Sequence, residues 1–452
     1  MISKKTYFIV LSFLISTIFS SCRKGDVVVD IYTAINDNGS GTGTVTWTKD
    51  KNYMLDGFVF VNPGQVLTIE PGTVIRAKTG QGENASALIV ARGAKIIAKG
   101  TAQEPIIFTV EGDDLKGSIP VEARGLWGGL IILGNAQLNN EFNEAKIEGI
   151  PLSESRGIYG GTINNDNSGI LKYVSIRHGG TNIGEGNEIN GLTMGGVGSE
   201  TSIEYVEVIS NEDDGFEFFG GSVNCKHLVS AFCGDDAFDF DQGYQGNLQF
   251  LLAIQASSLG SNLAEHGGNA SLTNATPFTI PKIYNATYIG NGQLQSSDLI
   301  NFSNNGAGKY YNSIFLNQLN GVKIEYTNGT SDSFNQFQNN NLIFENNIFY
   351  DIEANNNSLI LSAYNSSGNP LYPQQMALQN YLFRANNNLY NPGIEISENT
   401  INILPTGNVN THLANYPLSW FDTVSYKGAF DPNGDNWLNK WTLVFESGKL
   451  QH

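Results

Sequence analysis

The feature that most restricts what this chain can fold into is a repeat. Residues 211–221, NEDDGFEFFGG, return at residues 234–243 as GDDAFDFDQG. At a shift of 22, Asp213 falls on Asp235, Asp214 on Asp236, Phe216 on Phe238, Glu217 on Asp239 and Phe218 on Phe240. A period of this length without helical patterning is that of one coil of a parallel β-helix, in which each coil stacks on the last. Side chains alternate along a strand, so the four phenylalanines share one parity. Asp213, Glu217, Asp235, Asp239 and Asp241 share the other. The expectation is an aromatic stack inside the coil and a row of carboxylates outside, about 4.8 Å apart.

The same tempo runs through most of the chain. Short β-branched runs such as Val66–Ile69, Ala94–Ala98 and Pro105–Thr109 are punctuated by Gly and Pro. Leu171-Lys172-Tyr173-Val174, Ile203-Glu204-Tyr205-Val206, Cys225-Lys226-His227-Leu228 and Leu248-Gln249-Phe250-Leu251 align ring on ring at shifts of 32, 22 and 23. The 32 reads as one coil plus an insertion around Thr181–Asn190. Beyond Pro281, Asn285, Asn312, Asn346 and Asn387 each open an Asn-x-hydrophobic-aromatic phrase, at shifts of 27, 34 and 41. Inward Asn stacks at coil corners satisfy backbone groups, so this richness reads as structural. The widening shifts imply longer loops on one flank, such as Ser362–Gln379, where a solenoid often places its binding face. The fold class is therefore all-β, a parallel β-helix over 46–415; LTIEPGTVI and IIAKGTAQEPIIFT resemble the opening coils of bacterial right-handed parallel β-helix proteins, which implies the right hand. The aromatic segment 416–452, with three of the five tryptophans, reads as a short C-terminal cap closing the open end.

The first residues are not part of that fold. Lys4 and Lys5 precede an apolar run from Tyr7 to Phe19 that ends in Ser20-Ser21-Cys22, the order of a secretory signal. Phe19-Ser20-Ser21-Cys22 resembles a bacterial lipobox, which implies cleavage after residue 21 and lipidation of Cys22. Residues 22–45, polar and rich in Gly and Thr, then read as a flexible tether. Acyl chains on Cys22 imply a lipid-membrane partner and an exported, outer-membrane-anchored protein. Removing residues 1–21 takes away two lysines and no acid, moving the formal charge from −18 to −20. So acidic a chain offers no basic patch for nucleic acid. The remaining cysteines, Cys225 and Cys233, sit within one coil and are not related by the 22-residue shift. They read as buried free thiols first and as a within-coil bridge second.

Taken together, EPGTVI, RGLWGGLIILGNA, IEGIP, YVSIRHGG, EYVEVISNEDDGFEFFGG, GDDAFDFDQG and VSYKGAF resemble a family of exported β-helix lipoproteins of Bacteroidetes and related bacteria. That resemblance covers nearly the whole mature chain and implies the fold rather than an activity. More locally, Asp214-Gly215-Phe216 followed by Asp235-Asp236 is similar to the polygalacturonase-type glycoside hydrolases. The resemblance implies Asp236 as general acid, with Asp214 and Asp235 activating water for inversion. The pattern departs from that family at Glu212-Asp213. Its Gly-His-Gly has as nearest match Glu265-His266-Gly267-Gly268, and its Arg-x-Lys has no counterpart.

Stacked carboxylates repel by about 1 kcal/mol in water and several-fold more where solvent is excluded. Three arrangements relieve this. The acids can cap backbone N–H groups at a corner. They can bind Ca²⁺ through Asp213, Asp235, Asp236, Asp239 and Asp241, since oxygen-only ligands suit that ion. Or they can do chemistry as Asp214, Asp235 and Asp236. His178, in Arg177-His178-Gly179-Gly180, and His266 read as structural histidines at corners. The function expected is binding of extracellular polysaccharide or a surface partner within an outer-membrane assembly. Carbohydrate-active catalysis comes second and a purely structural envelope role third.

Overall fold

A computed structural model describes residues 32–184, 187–256, 262–292, 297–365, 367–384, 386–390, 401–402 and 412–451. The signal segment and Cys22 lie outside the described residues. Among those described, every long sheet pairing is parallel, and the chain winds as a parallel β-helix. One sheet holds ten short strands and starts at Phe58–Val61. Its order then passes through Ala87–Val90, Leu130–Leu133, Leu192–Gly195, Phe216–Phe219 and Phe238–Asp241, ending at Leu361–Tyr364. The other strands form a longer, bent wall that includes Gly169–Arg177, Ser202–Ile209, Asn224–Ala231 and Asn247–Ile254.

The register is the one the repeats demand. Phe216 pairs with Phe238, Glu217 with Asp239 and Phe218 with Phe240. Val174, Val206, Leu228 and Leu251 form one column of the bent wall, at the shifts of 32, 22 and 23. The insertion within the 32 is the hairpin Thr181–Gly184 with Asn187–Ile189. The inward columns are buried and stack closely, with Phe216–Phe238 ring centroids 5.3 Å apart and Phe218–Phe240 5.0 Å apart. Cys225 takes a core place between Ile203 and Leu248, and both Cys225 and Cys233 are buried and free.

The ring phrases and the Asn phrases turn out to mark one corner. Tyr173, Tyr205, His227 and Phe250 have φ between 50° and 60°, and Asn285, Asn312, Asn346 and Asn387 between 53° and 60°. Left-handed backbone costs a non-glycine residue about 1 kcal/mol, least for Asn. The ring residues recover that cost by stacking outward at 4.4, 4.1 and 4.7 Å. Next to this corner lies the inward Asn ladder. Asn347 Oδ1 accepts from Ser313 N and Asn388 Oδ1 from Asn347 N, each at 2.8 Å.

Three expectations change. The stretch read as tether is already part of the solenoid from Tyr32 onward: Tyr32–Asn36 pairs in parallel with Asn52–Asp56, and Asp37 accepts from Gly39, Gly41 and Arg156. Composition misleads here because Gly and Asn serve tight corners as well as linkers. The aromatic C-terminal segment is not an end cap. It is a strap that runs back along the outer face of the bent wall. Ala414 N bonds Asn312 Oδ1, Gly428 N bonds Asn312 O, and Asp422 N bonds Gln249 Oε1, each at 2.8 Å. Leu443 and Val444 then donate to Glu207, and Lys449 pairs with Glu122. Phe430, Leu438, Trp441 and Val444 thereby cover Ile209, Ala231, Leu252 and Ile254. Helix residues pack on the core of the last coils instead, those of the second helix overlapping the Ser362–Gln379 loop expected to be a binding face. Helix α1, Ser333–Gln338, contributes Phe334, and α2, Tyr372–Leu382, lays Leu378 and Leu382 on the core. Among the described residues no helix is long and apolar enough to cross a membrane.

Candidate acidic site on the short-strand sheet

The outward column of the short-strand sheet changes character along its length. It begins Phe60, Ile89, Ile131, and continues Thr193, Glu217, Asp239, Glu265, Asn301, Lys323. The apolar start is covered by the excursion 139–161, whose Ile147, Ile150 and Tyr159 pack on it. Where that cover ends, the acids begin. Glu148 leaves the excursion and hydrogen-bonds Glu217 carboxyl to carboxyl, and Asn190 Nδ2 donates to both. Glu188 joins from the inserted hairpin.

Corner caps account for part of the cluster. Asn190 Oδ1 accepts from Asp214 N at 3.2 Å, Asp214 Oδ1 from Asp236 N at 2.8 Å, Asp236 Oδ1 from Asn262 N at 2.5 Å, and Asn262 Oδ1 from Asp298 N at 3.3 Å. One side chain per coil thus satisfies the next coil's backbone. Asp214 and Asp236 are 8% and 5% exposed, and each has an oxygen committed to that ladder. Asp235 alone of the three candidate catalytic acids is exposed. Of the three acids that the polygalacturonase resemblance implied, Asp236 and Asp214 thus also hold corners.

The other acids converge. Oxygens of Asp213, Asp214 and Asp235 lie within 4.8 Å of one another, and so do those of Asp214, Glu217 and Asp239. Asp214 joins the two groups, whereas Asp236 and Asp241 of the expected metal set belong to neither. Among the described residues, Asp213, Asp214, Glu217, Asp239 and Glu265 form no ion pair. Asp239 Oδ1 and Asp241 Oδ1 are enclosed without a hydrogen-bond partner. Burial first, and then the surrounding like charges, drives the carboxyls upward. Glu148 reaches about 7 through burial and Glu188, and Asp213 about 8 through burial and Asp235. Burial, with Glu265 behind it, lifts Asp241 to about 7. Asp214, Glu217, Asp236 and Asp239 rise well above the usual carboxylate range for the same reason.

Glu148 also lines a groove of about 720 Å³ beside the row, walled by Phe58, Ile150, Pro151 and Leu152 with Lys146 at its side. Glu148, Glu188, Asn190 and Asn262 escaped the sequence reading because they come from insertions or from corners whose spacing hides the register. The hint for Glu265 was present: Glu265-His266 lies over Asp239-Phe240. His266 continues the inward column between Phe240 and Phe302, with Nε2 on Tyr310 and Nδ1 on the Ala307 carbonyl. Burial holds it down at about 3. His178 is likewise buried, its Nδ1 on the Ala123 carbonyl. Both histidines serve the fold.

A family model described as a pectate-lyase like beta helix domain matches residues 39–374, most of the described solenoid. The chain belongs to that family, and its β-helix domain fits a polysaccharide-related role in general terms. No curated protein and no solved structure matches the chain.

Proposed function

We propose that this protein is an exported lipoprotein, anchored through Cys22, that binds extracellular polysaccharide along the acidic column and the adjoining groove as part of an outer-membrane assembly. One observation carries the reading. The outward row Glu217–Asp239–Glu265 forms no ion pair among the described residues, and a groove opens beside it at Glu148. A site that gathers charge and leaves carboxylate oxygens unpartnered is built for something brought to it. The donor set is all oxygen, which suits Ca²⁺. Asp213, Asp214 and Asp235, or Asp214, Glu217 and Asp239, would hold the ion. Bound there, calcium would supply positive charge to sugar hydroxyls and carboxylates, while the groove wall offers apolar faces to the rings. The test is calorimetric titration of the mature protein with acidic and neutral polysaccharides, with calcium and with chelator. Binding that needs calcium and is lost in Asp239→Asn supports the reading; equal binding in Asp239→Asn contradicts it.

A catalytic reading keeps one specific support, which differs from the expected triple. Glu148 and Glu217 share a proton at the groove edge, and Glu148 titrates near neutrality, as a general acid must. Release of reducing or unsaturated ends by the parent chain and not by Glu148→Gln would favour it.

A further inference from the structure

The outer face of the bent wall holds a second cavity, of about 480 Å³, where the 111–123 loop, the end of strand Gly169–Arg177 and the strap's last helix, α3 (Leu443–Glu446), meet. Its charged lining is Arg177 and Lys116 with the carboxylates Asp113 and Glu446, and Ile119 and Leu443 add apolar wall. Arg177 opens a column that is otherwise aliphatic, being paired with Ile209 and followed by Ala231 and Ile254. Its side chain is only 7% exposed. Nε donates to Ser175 Oγ at 2.8 Å. The two terminal nitrogens have no acceptor among the described residues, and no carboxylate stands within ion-pair distance.

Glu207, Asp113 and Glu446 act on Arg177 through space without pairing with it, and each accepts hydrogen bonds from other groups. Asp113 accepts from Thr109 Oγ1 at 2.6 Å and from Leu115 N at 2.8 Å. Glu207 accepts from Ser175 Oγ at 2.5 Å, from Leu443 N at 2.8 Å and from Val444 N at 2.9 Å. Glu446 accepts from Lys440 N at 3.0 Å. The terminal nitrogens of this largely buried guanidinium line the cavity and keep their donors for what enters it. Five donors in a planar fork match a carboxylate. A volume near 480 Å³ lies within the range of small-ligand sites, and Ile119 and Leu443 give it an apolar wall.

We propose that this cavity is a binding site for a small organic carboxylate, held by the terminal nitrogens of Arg177 with Lys116 at the mouth. The site is on the other sheet from the acidic column and does not rest on that column's function. Because the strap forms part of the wall, occupancy stabilises strap docking.

The experiment titrates the mature protein with sodium D-glucuronate, D-galacturonate, acetate, sulfate and glucose, following heat and melting temperature. Expected are saturable binding of the uronates with a rise in melting temperature, weaker binding of acetate, and none of glucose. Arg177→Met should lose affinity by about tenfold to a hundredfold, the worth of a charge-assisted pair. Lys116→Ala, on an exposed loop, should weaken binding several-fold. Should Arg177→Met fail to fold, the Lys116→Ala titration decides. No uronate binding by the parent chain, sulfate binding in preference to both carboxylates, or parental affinity in the variants that fold would each overturn the proposal.

Discussion

The acidic column should make the calcium-free protein lose stability as pH rises, and Asp213 offers the cleanest measure. Burial, with the Asp235 charge next to it, lifts its carboxyl to about 8, while an unfolded aspartate titrates near 4. Between these values the unfolded state releases a proton that the folded state keeps. Folding is therefore disfavoured progressively from about pH 4 until pH passes 8, and below pH 4 no penalty remains. Asp213→Asn removes this titration and leaves the opposing one of buried His227 and His266, both held near 3, as a common background. From pH 5 to pH 8 the variant should gain on the parent by roughly 4 kcal/mol, at about 1.4 kcal/mol per unit of pKa difference. For a chain of this length that is about 4 °C in melting temperature. The assay is differential scanning fluorimetry of both proteins in chelator across that range. Saturating calcium should close the gap, because an ionised Asp213 then has a partner. A gap that stays constant or narrows as pH rises would refute the argument, since it would mean that Asp213 is ionised and solvated in the folded state.

Other consequences concern the strap and the core. Glu207→Ala leaves the Leu443 and Val444 amides without acceptors and should cost about 3 kcal/mol; proteolysis should then cut within 412–451 first, and unchanged protection would count against the strap as described. Deleting 416–452 should leave a folded solenoid that binds a hydrophobic dye through bared Ile209, Leu252 and the Tyr205 ring ladder, whereas true end closure would unravel the C-terminal coils. Phe238→Ala removes a ring from the middle of the inward stack and should cost about 3–5 kcal/mol by thermal or denaturant unfolding. His266→Phe should preserve glycan binding while lowering stability, because only Tyr310 and the Ala307 carbonyl lose a partner; loss of binding without loss of stability would give that ring a functional role.

What could be read from the residues follows from what repeats in them. The parity of Phe216, Phe218, Phe238 and Phe240 separates inside from outside, because neighbouring coils must place like on like. The 32, 22 and 23 spacings carry over into the register for the same reason. Contacts between residues distant in the chain left no such trace. The strap joins Val444 to Glu207 across more than two hundred residues, and only the runs Val206–Ile209, Leu228–Ala231 and Leu251–Ile254 hinted at it. Strands apolar on both faces need a cover outside as well as a core inside. The corner ladder was among the arrangements considered for the acids. Which of them it would claim depends on whether a carboxylate at the turn faces the next coil's amide, as Asp214 and Asp236 do. Glu148 is least legible of all, being brought to Glu217 by an excursion with no repeat to betray its position.

The central question for this protein is whether the Glu217–Asp239–Glu265 face binds polysaccharide through calcium. Titrating the mature protein with acidic polysaccharide in calcium and in chelator, beside Asp239→Asn, measures this. The account predicts calcium-dependent binding that Asp239→Asn abolishes while its fold is retained. Binding indifferent to both calcium and Asp239, or no polysaccharide binding in either condition, would contradict it.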